Sequence, residues 1–186
     1  MDIRIILIVA CLIASGISFK DGLPKKSSYP LIAKDLYYEI RGDDERNYYE
    51  YTIKDKKGNT VEHNCVERMP PTISYISSNI IELRLHGGTY ADLCRYYDID
   101  NDILSESFWN PILTENGKIV YYTEDKLLVV QNIFSKDIFY KAYSFDMFLT
   151  GPPEDIRFLN NGDKLYIRYI TPDSYIEKVE IVDLTE

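Results

Sequence analysis

The chain holds two histidines, His63 and His86, and three cysteines, Cys11, Cys65 and Cys94, so its stock of nucleophiles, bases and soft metal ligands is small. Tetrahedral zinc needs three or four converging His, Cys or carboxylate ligands. His63-Asn64-Cys65 places two such side chains on one strand face, because strand side chains alternate with period two, but no second pair accompanies them. No metal site and no cofactor are expected, and His63 and His86 read as structural histidines. His86-Gly87-Gly88 has the make-up of an oxyanion segment for acyl transfer, yet the Gly-x-Ser-x-Gly elbow that would carry its nucleophile is missing. A strand end followed by a glycine turn is the reading left, and no catalytic residue is singled out.

The acidic residues carry more information. Asp98-Ile99-Asp100-Asn101-Asp102 alternates carboxylates like the first half of a calcium loop, but its sixth position is Ile103 instead of Gly and its twelfth is Trp109 instead of Glu. A turn lined with Asp and Asn is expected there. Thirty acidic residues permit many carboxylate pairs of the kind that hydrolyse sugars, and no pair stands out. A second acidic run, Asp43-Asp44-Glu45, has the same turn-like make-up. Trp109 is the one tryptophan and offers a large stacking surface, while the 17 tyrosines read as strand packing with the hydroxyl in water. Asp43, Asp44, Glu45, Asp98, Asp100, Asp102 and Trp109 are therefore the candidate partner-binding residues.

With a formal net charge of −9 the chain repels phosphate-rich partners, so nucleic acid is disfavoured and a basic protein partner is favoured. Solubility alone is the plain alternative reading of that charge. Residues 1–18 have the layout of a secretory signal: a charged start, an apolar run from Ile5 to Ala14, then small residues at Ala14-Ser15-Gly16 and Gly16-Ile17-Ser18 where a peptidase cuts. A spanning helix needs about 20 apolar residues, more than this run supplies. Ile8-Val9-Ala10-Cys11 also has lipobox character, and only lipidation of Cys11 would tie the exported chain to a membrane. In an oxidising compartment Cys65 and Cys94 are expected to form a disulfide, the alternative being two buried thiols.

These side chains are positioned by a β-rich body. Residues 19–34 mix Gly, Pro, Ser and Lys without a period and read as an arm, and a single domain is expected over 35–186. Within it, short runs of Tyr, Ile, Val, Leu and Phe alternate with Asn, Asp, Gly, Ser and Pro clusters. Strands are expected at 36–40, 48–54, 60–67, 72–76, 80–86, 92–98, 103–108, 118–123, 126–132, 139–146, 155–159, 164–171 and 175–183. Lys57-Gly58-Asn59, Glu115-Asn116-Gly117 and Asn160-Asn161-Gly162 supply positive-φ turns between them. The fold class is all-β, built of antiparallel hairpins.

The segment from Ile112 to Tyr122 aligns with that from Ile156 to Tyr166, and more loosely with Ile73 to Ile81. This apolar-turn-apolar unit resembles the opening strands of a β-propeller blade, whose period is about 40 to 50 residues. The resemblance implies about four blade-like units, arranged as a small propeller, an open fan or a sandwich. The stretch with Tyr96-Tyr97-Asp98, Ile103-Leu104-Ser105-Glu106-Ser107-Phe108 and Asn110-Pro111-Ile112 also resembles small exported bacterial β-rich proteins of unassigned activity. The expected function is that of a non-catalytic protein-binding domain, an inhibitor or immunity-type protein of the periplasm or cell envelope. A carbohydrate- or cell-wall-binding module using Tyr and Trp109 is the alternative, and an envelope hydrolase with unrecognised carboxylates comes last.

Overall fold

The computed structural model describes residues 28–88, 92–123, 125, 127–143, 155–171 and 175–185. The expected signal segment 1–18, with Cys11, and most of the arm 19–34 lie outside the described residues. Four antiparallel sheets make up the described chain, and none closes into a barrel. The first runs β1 (Leu31–Lys34), β2 (Tyr38–Asp43), β3 (Tyr48–Lys54) and β4 (Thr60–Glu67). The second runs β5 (Thr72–Tyr75), β6 (Ile80–His86), β7 (Asp92–Asp98) and β8 (Ile103–Leu104), with β9 (Phe108–Trp109) also pairing to β7. The third is β10 (Leu113–Glu115), β11 (Lys118–Tyr122), β12 (Leu127–Asn132) and β13 (Ile138–Tyr143). The fourth has three strands, β14 (Asp155–Leu159), β15 (Lys164–Ile170) and β16 (Glu177–Asp183). Apart from β9, strands consecutive in the chain within a sheet are neighbours in it, joined by connections of two to six residues. The three mutually similar sequence segments fall on β10–β11, β14–β15 and β5–β6, the opening hairpin of each of three sheets.

The described residues cluster into two compact units, one lying within residues 28–93 and 97–104 and one within residues 94–96 and 105–185. In the first unit the period-two burial of β3, with Tyr49, Tyr51 and Ile53 inward, packs Tyr51 and Ile53 with Ile40 against Ile73, Ile81, Leu83 and Tyr97 of the second sheet and Ile99 in the turn after β7. In the second unit Val120, Leu128 and Val130 meet Phe158, Leu165, Ile167, Tyr169 and Leu184. Each core is thus two apolar sheet faces in contact, the arrangement that removes most apolar area from water.

Two expectations change. Leu31–Lys34, read as part of an arm, forms β1, with a bulge between Leu31 and Ala33. Cys65 and Cys94 are separate thiols, so the expected bridge is not formed. Cys94 is fully buried within β7, whereas Cys65 is half-buried on β4. A bridge needs Cα atoms within about 7 Å and facing Cβ vectors. Each thiol is instead held in its own sheet, Cys65 by the Tyr48 hydroxyl, whose pKa is raised first by that hydrogen bond and then by burial.

Gly42 on β2 lies against the face of the Tyr49 ring, and a Cβ there would also come within 2.8 Å of Ile32 Cδ1 on the preceding strand. Tyr49 is buried and its ring cannot retreat without opening the sheet. Gly42→Ala is therefore expected to destabilise the protein by about 1 to 3 kcal/mol through overpacking, read as a lower midpoint in urea unfolding. An unchanged midpoint would show that β1 and Tyr49 yield freely.

Candidate functional site

The two acidic turns are built from their own carboxylates. In the β2–β3 turn Asp43 Oδ1 accepts from the backbone N–H groups of Glu45 (3.0 Å) and Arg46 (3.2 Å), and its other oxygen pairs with Arg46 Nε at 3.2 Å. Asp44 Oδ1 accepts from the Tyr49 hydroxyl at 2.9 Å. After β7, Asp98 Oδ1 accepts from the N–H groups of Asp100 (2.9 Å) and Asn101 (3.1 Å), and Oδ2 from the Asn101 amide at 2.8 Å. Asp98 is only 8% exposed, and Asp102 accepts from the Tyr97 hydroxyl at 2.8 Å. These are Asx-type turns, in which a short carboxylate side chain replaces a backbone acceptor.

Asp100 reaches Lys56 Nζ at 2.7 Å, which lowers its own pKa and raises that of the lysine. Both partners are more than half exposed, so water and salt weaken the pair. Of the seven sequence candidates, Asp43, Asp44, Asp98 and Asp102 hold turns together, Asp100 is half-committed, and Glu45 and Trp109 stand open to solvent. The tyrosines also differ from expectation. Tyr51, Tyr97 and Tyr169 are buried, and their hydroxyls donate to Glu62, Asp102 and Glu180 instead of water. Burial, then the bond to Glu180, pushes Tyr169 up to about 12.

Trp109, 51% exposed on β9, forms one wall of a groove of about 360 Å³. Its floor is the buried ring of Phe108, which meets Tyr121 edge-on with ring centres 5.4 Å apart, and Glu106, Ser107, Tyr122 and Thr123 complete the lining. A relay fixes the polar groups: the Tyr121 hydroxyl donates to Gln131 Oε1 at 2.8 Å, and Gln131 Nε2 donates to Glu106 Oε1 at 2.7 Å. Exposed aromatic faces beside oriented carboxylate and hydroxyl groups can stack and hydrogen-bond a sugar ring or a peptide side chain.

His86 has a role the sequence did not disclose. Its Nε2 lies 2.9 Å from Thr72 Oγ1, its Nδ1 lies 2.9 Å from Asp92 Oδ1, and Asp92 Oδ2 accepts from Arg84 at 3.0 Å. Arg84 also donates to Glu82 at 3.0 Å. The order hydroxyl, imidazole, carboxylate is that of a catalytic relay, but acyl transfer further needs donors aimed at the developing oxyanion. The relay runs on through Arg84 to Glu82 and links β5, β6 and β7.

A second feature, missed among the candidates, is the outer edge of the fourth sheet. The Leu184 N–H donates to the Asp163 carbonyl and the Thr171 N–H to the Ile176 carbonyl, so even-numbered residues of β16 bond inward to β15. By alternation Glu177, Val179, Ile181 and Asp183 direct their backbone groups to the outer edge, which no strand among the described residues covers. Val179 is 49% and Ile181 59% exposed, and the exposed Tyr175 and Ile176 adjoin them.

The Asp92 carboxyl lies below the ordinary aspartate range: burial alone would raise it, but hydrogen bonds from His86 and Arg84 and their charge outweigh burial. A carboxyl with a lowered folded-state pKa stabilises the fold above its unfolded value of about 3.9, and the contribution is lost as pH falls through the lowered value. Asp92→Asn is expected to unfold at lower temperature than the parent near neutral pH, with the difference closing below about pH 4. A gap that stays constant through the acid range in thermal unfolding would remove Asp92 as its source. No protein-family model matches the chain, and no curated protein matches its sequence.

Proposed function

We propose that this chain is an exported protein-binding domain, acting in the cell envelope as an inhibitor or immunity-type protein, and that it takes an extended segment of its partner onto β16. The supporting observation is that, among the described residues, three sheets have at least four strands while the fourth has three, its last strand carrying exposed Val179 and Ile181. Such an edge offers a row of backbone donors and acceptors plus an apolar stripe, the two elements of recognition by strand addition. The net charge of −9 favours a basic partner and speeds encounter with it.

Photocrosslinking tests the interface. A benzophenone side chain in place of Ile181 is expected to yield one discrete adduct in envelope extract, competed away by unlabelled protein. Adducts at Ile138 on β13, with none at position 181, would move the interface off β16.

A carbohydrate reading is favoured by the Trp109 groove, where an indole face stands beside Glu106 and Thr123. On a glycan array, binding that Trp109→Ala weakens about tenfold would place sugar recognition there, since aromatic stacking is worth roughly 0.5 to 1.5 kcal/mol. An array with no binder leaves the groove to a protein side chain.

A further inference from the structure

On the reading that β16 accepts a partner strand, we infer what that strand must look like: two apolar residues two apart, flanked at the next alternate positions by basic residues, in the pattern basic-x-apolar-x-apolar-x-basic. The outward residues of β16 read Glu177, Val179, Ile181, Asp183, all on one sheet face, so acid, apolar, apolar and acid recur at every second position. A strand paired to them places its own side chains directly opposite on that face, about 5 Å away, where apolar pairs and opposite charges stabilise and like charges destabilise.

The ends of the stripe carry carboxyl side chains, Glu177 and Asp183. Asp183 is held below the ordinary carboxylate range by hydrogen bonds from the Thr185 hydroxyl and backbone N–H. Glu177 has Arg168 at 3.7 Å, a contact with both side chains over a third exposed, which leaves it open to a closer cation. The opposite face of the strand is already in use. Glu180 accepts from the Tyr169 hydroxyl, and Val182 packs on the core of the second unit. The odd-numbered face is the one on which all four residues, Glu177, Val179, Ile181 and Asp183, are exposed to an incoming strand.

The test uses the whole protein and two fluorescent nine-residue peptides that share a Thr-Val-Thr-Val-Thr centre, one with Lys and one with Glu at the flanking positions. In fluorescence anisotropy the Lys-flanked peptide is expected to bind at least about tenfold more tightly, with the difference shrinking at high salt. Val179→Pro is expected to abolish binding without unfolding the protein. It removes an N–H that points to the open edge and leaves the ladder to β15 intact. Ile181→Lys serves as a second variant and is expected to weaken the Lys-flanked peptide at least about tenfold by charge repulsion and loss of an apolar contact.

Equal binding of both peptides, lost in Val179→Pro, would overturn the charge pattern and leave strand addition standing. Binding that survives both variants would overturn β16 as the acceptor altogether. Absence of binding by either peptide, together with a positive crosslink at position 181, would overturn the proposed sequence pattern alone. A dimer in sedimentation that Val179→Pro dissociates would assign the edge to a second copy of the chain and overturn the basic-flanked partner.

Discussion

Apart from β9, which pairs back to β7, every sheet is a meander, so the pairing of each strand is set by the turn before it, and several of those turns depend on residues in the left-handed region. Asn116 and Gly117, at φ 50° and 74°, close a two-residue turn between the paired Glu115 and Lys118. Asn160, Asn161 and Gly162 do the same work between Leu159 and Lys164. The two turns also support each other, because Lys118 Nζ donates to the Gly162 carbonyl at 2.6 Å. A slip of one residue would turn Val120, Leu128 and Val130 out of the core and put polar side chains in their place. The apolar pattern and the turn chemistry therefore specify the same register.

That agreement is why so much of the fold is legible in the sequence. The expected strands 48–54, 60–67, 80–86, 92–98 and 155–159 coincide with β3, β4, β6, β7 and β14 to the residue, each bounded by turn residues or a change of pattern. The departures have local causes. The expected strand 103–108 is split into β8 and β9 because the Ser105 hydroxyl accepts the Tyr96 N–H and donates to the Glu106 carbonyl, interrupting the ladder with side-chain bonds. β1 is four residues long and exposed, so it has too little alternation to stand out from an arm.

The candidate site is less legible, for a physical reason. A run of acids in sequence resembles an acidic surface, yet Asp and Asn in turns bond first to the nearest N–H groups. Asp43 and Asp98 are consumed in this way, and Tyr49 and Tyr97 take up Asp44 and Asp102. Composition reports the charge of such a cluster but not how much of it faces outward. The buried Tyr–carboxylate pairs follow the same logic, since a tyrosine hydroxyl inside the protein needs an acceptor and the cross-strand neighbour supplies one. Relay and edge alike depend on strand neighbours: His86 finds Thr72 and Asp92 only once β5, β6 and β7 are in register.

The edge of β16 also shows how one stripe can be open to a partner and closed to its own copy. Two copies pairing antiparallel about Glu180 would set Glu177 opposite Asp183 at both ends, and like charges directly opposite are destabilising. Shifting the pairing to centre on Val179 sets Glu177 against Ile181, burying a carboxylate beside an apolar side chain without a partner. Both of these self-pairing registers thus carry an electrostatic penalty on the face that holds the apolar stripe. Charged residues on edge strands serve this protective role in monomeric β proteins, and here they stand at the two ends of the stripe instead of interrupting it. A strand with basic residues at those two positions turns the same carboxylates from a barrier into a means of selection, so resistance to self-pairing and choice of partner rest on one pair of side chains, Glu177 and Asp183.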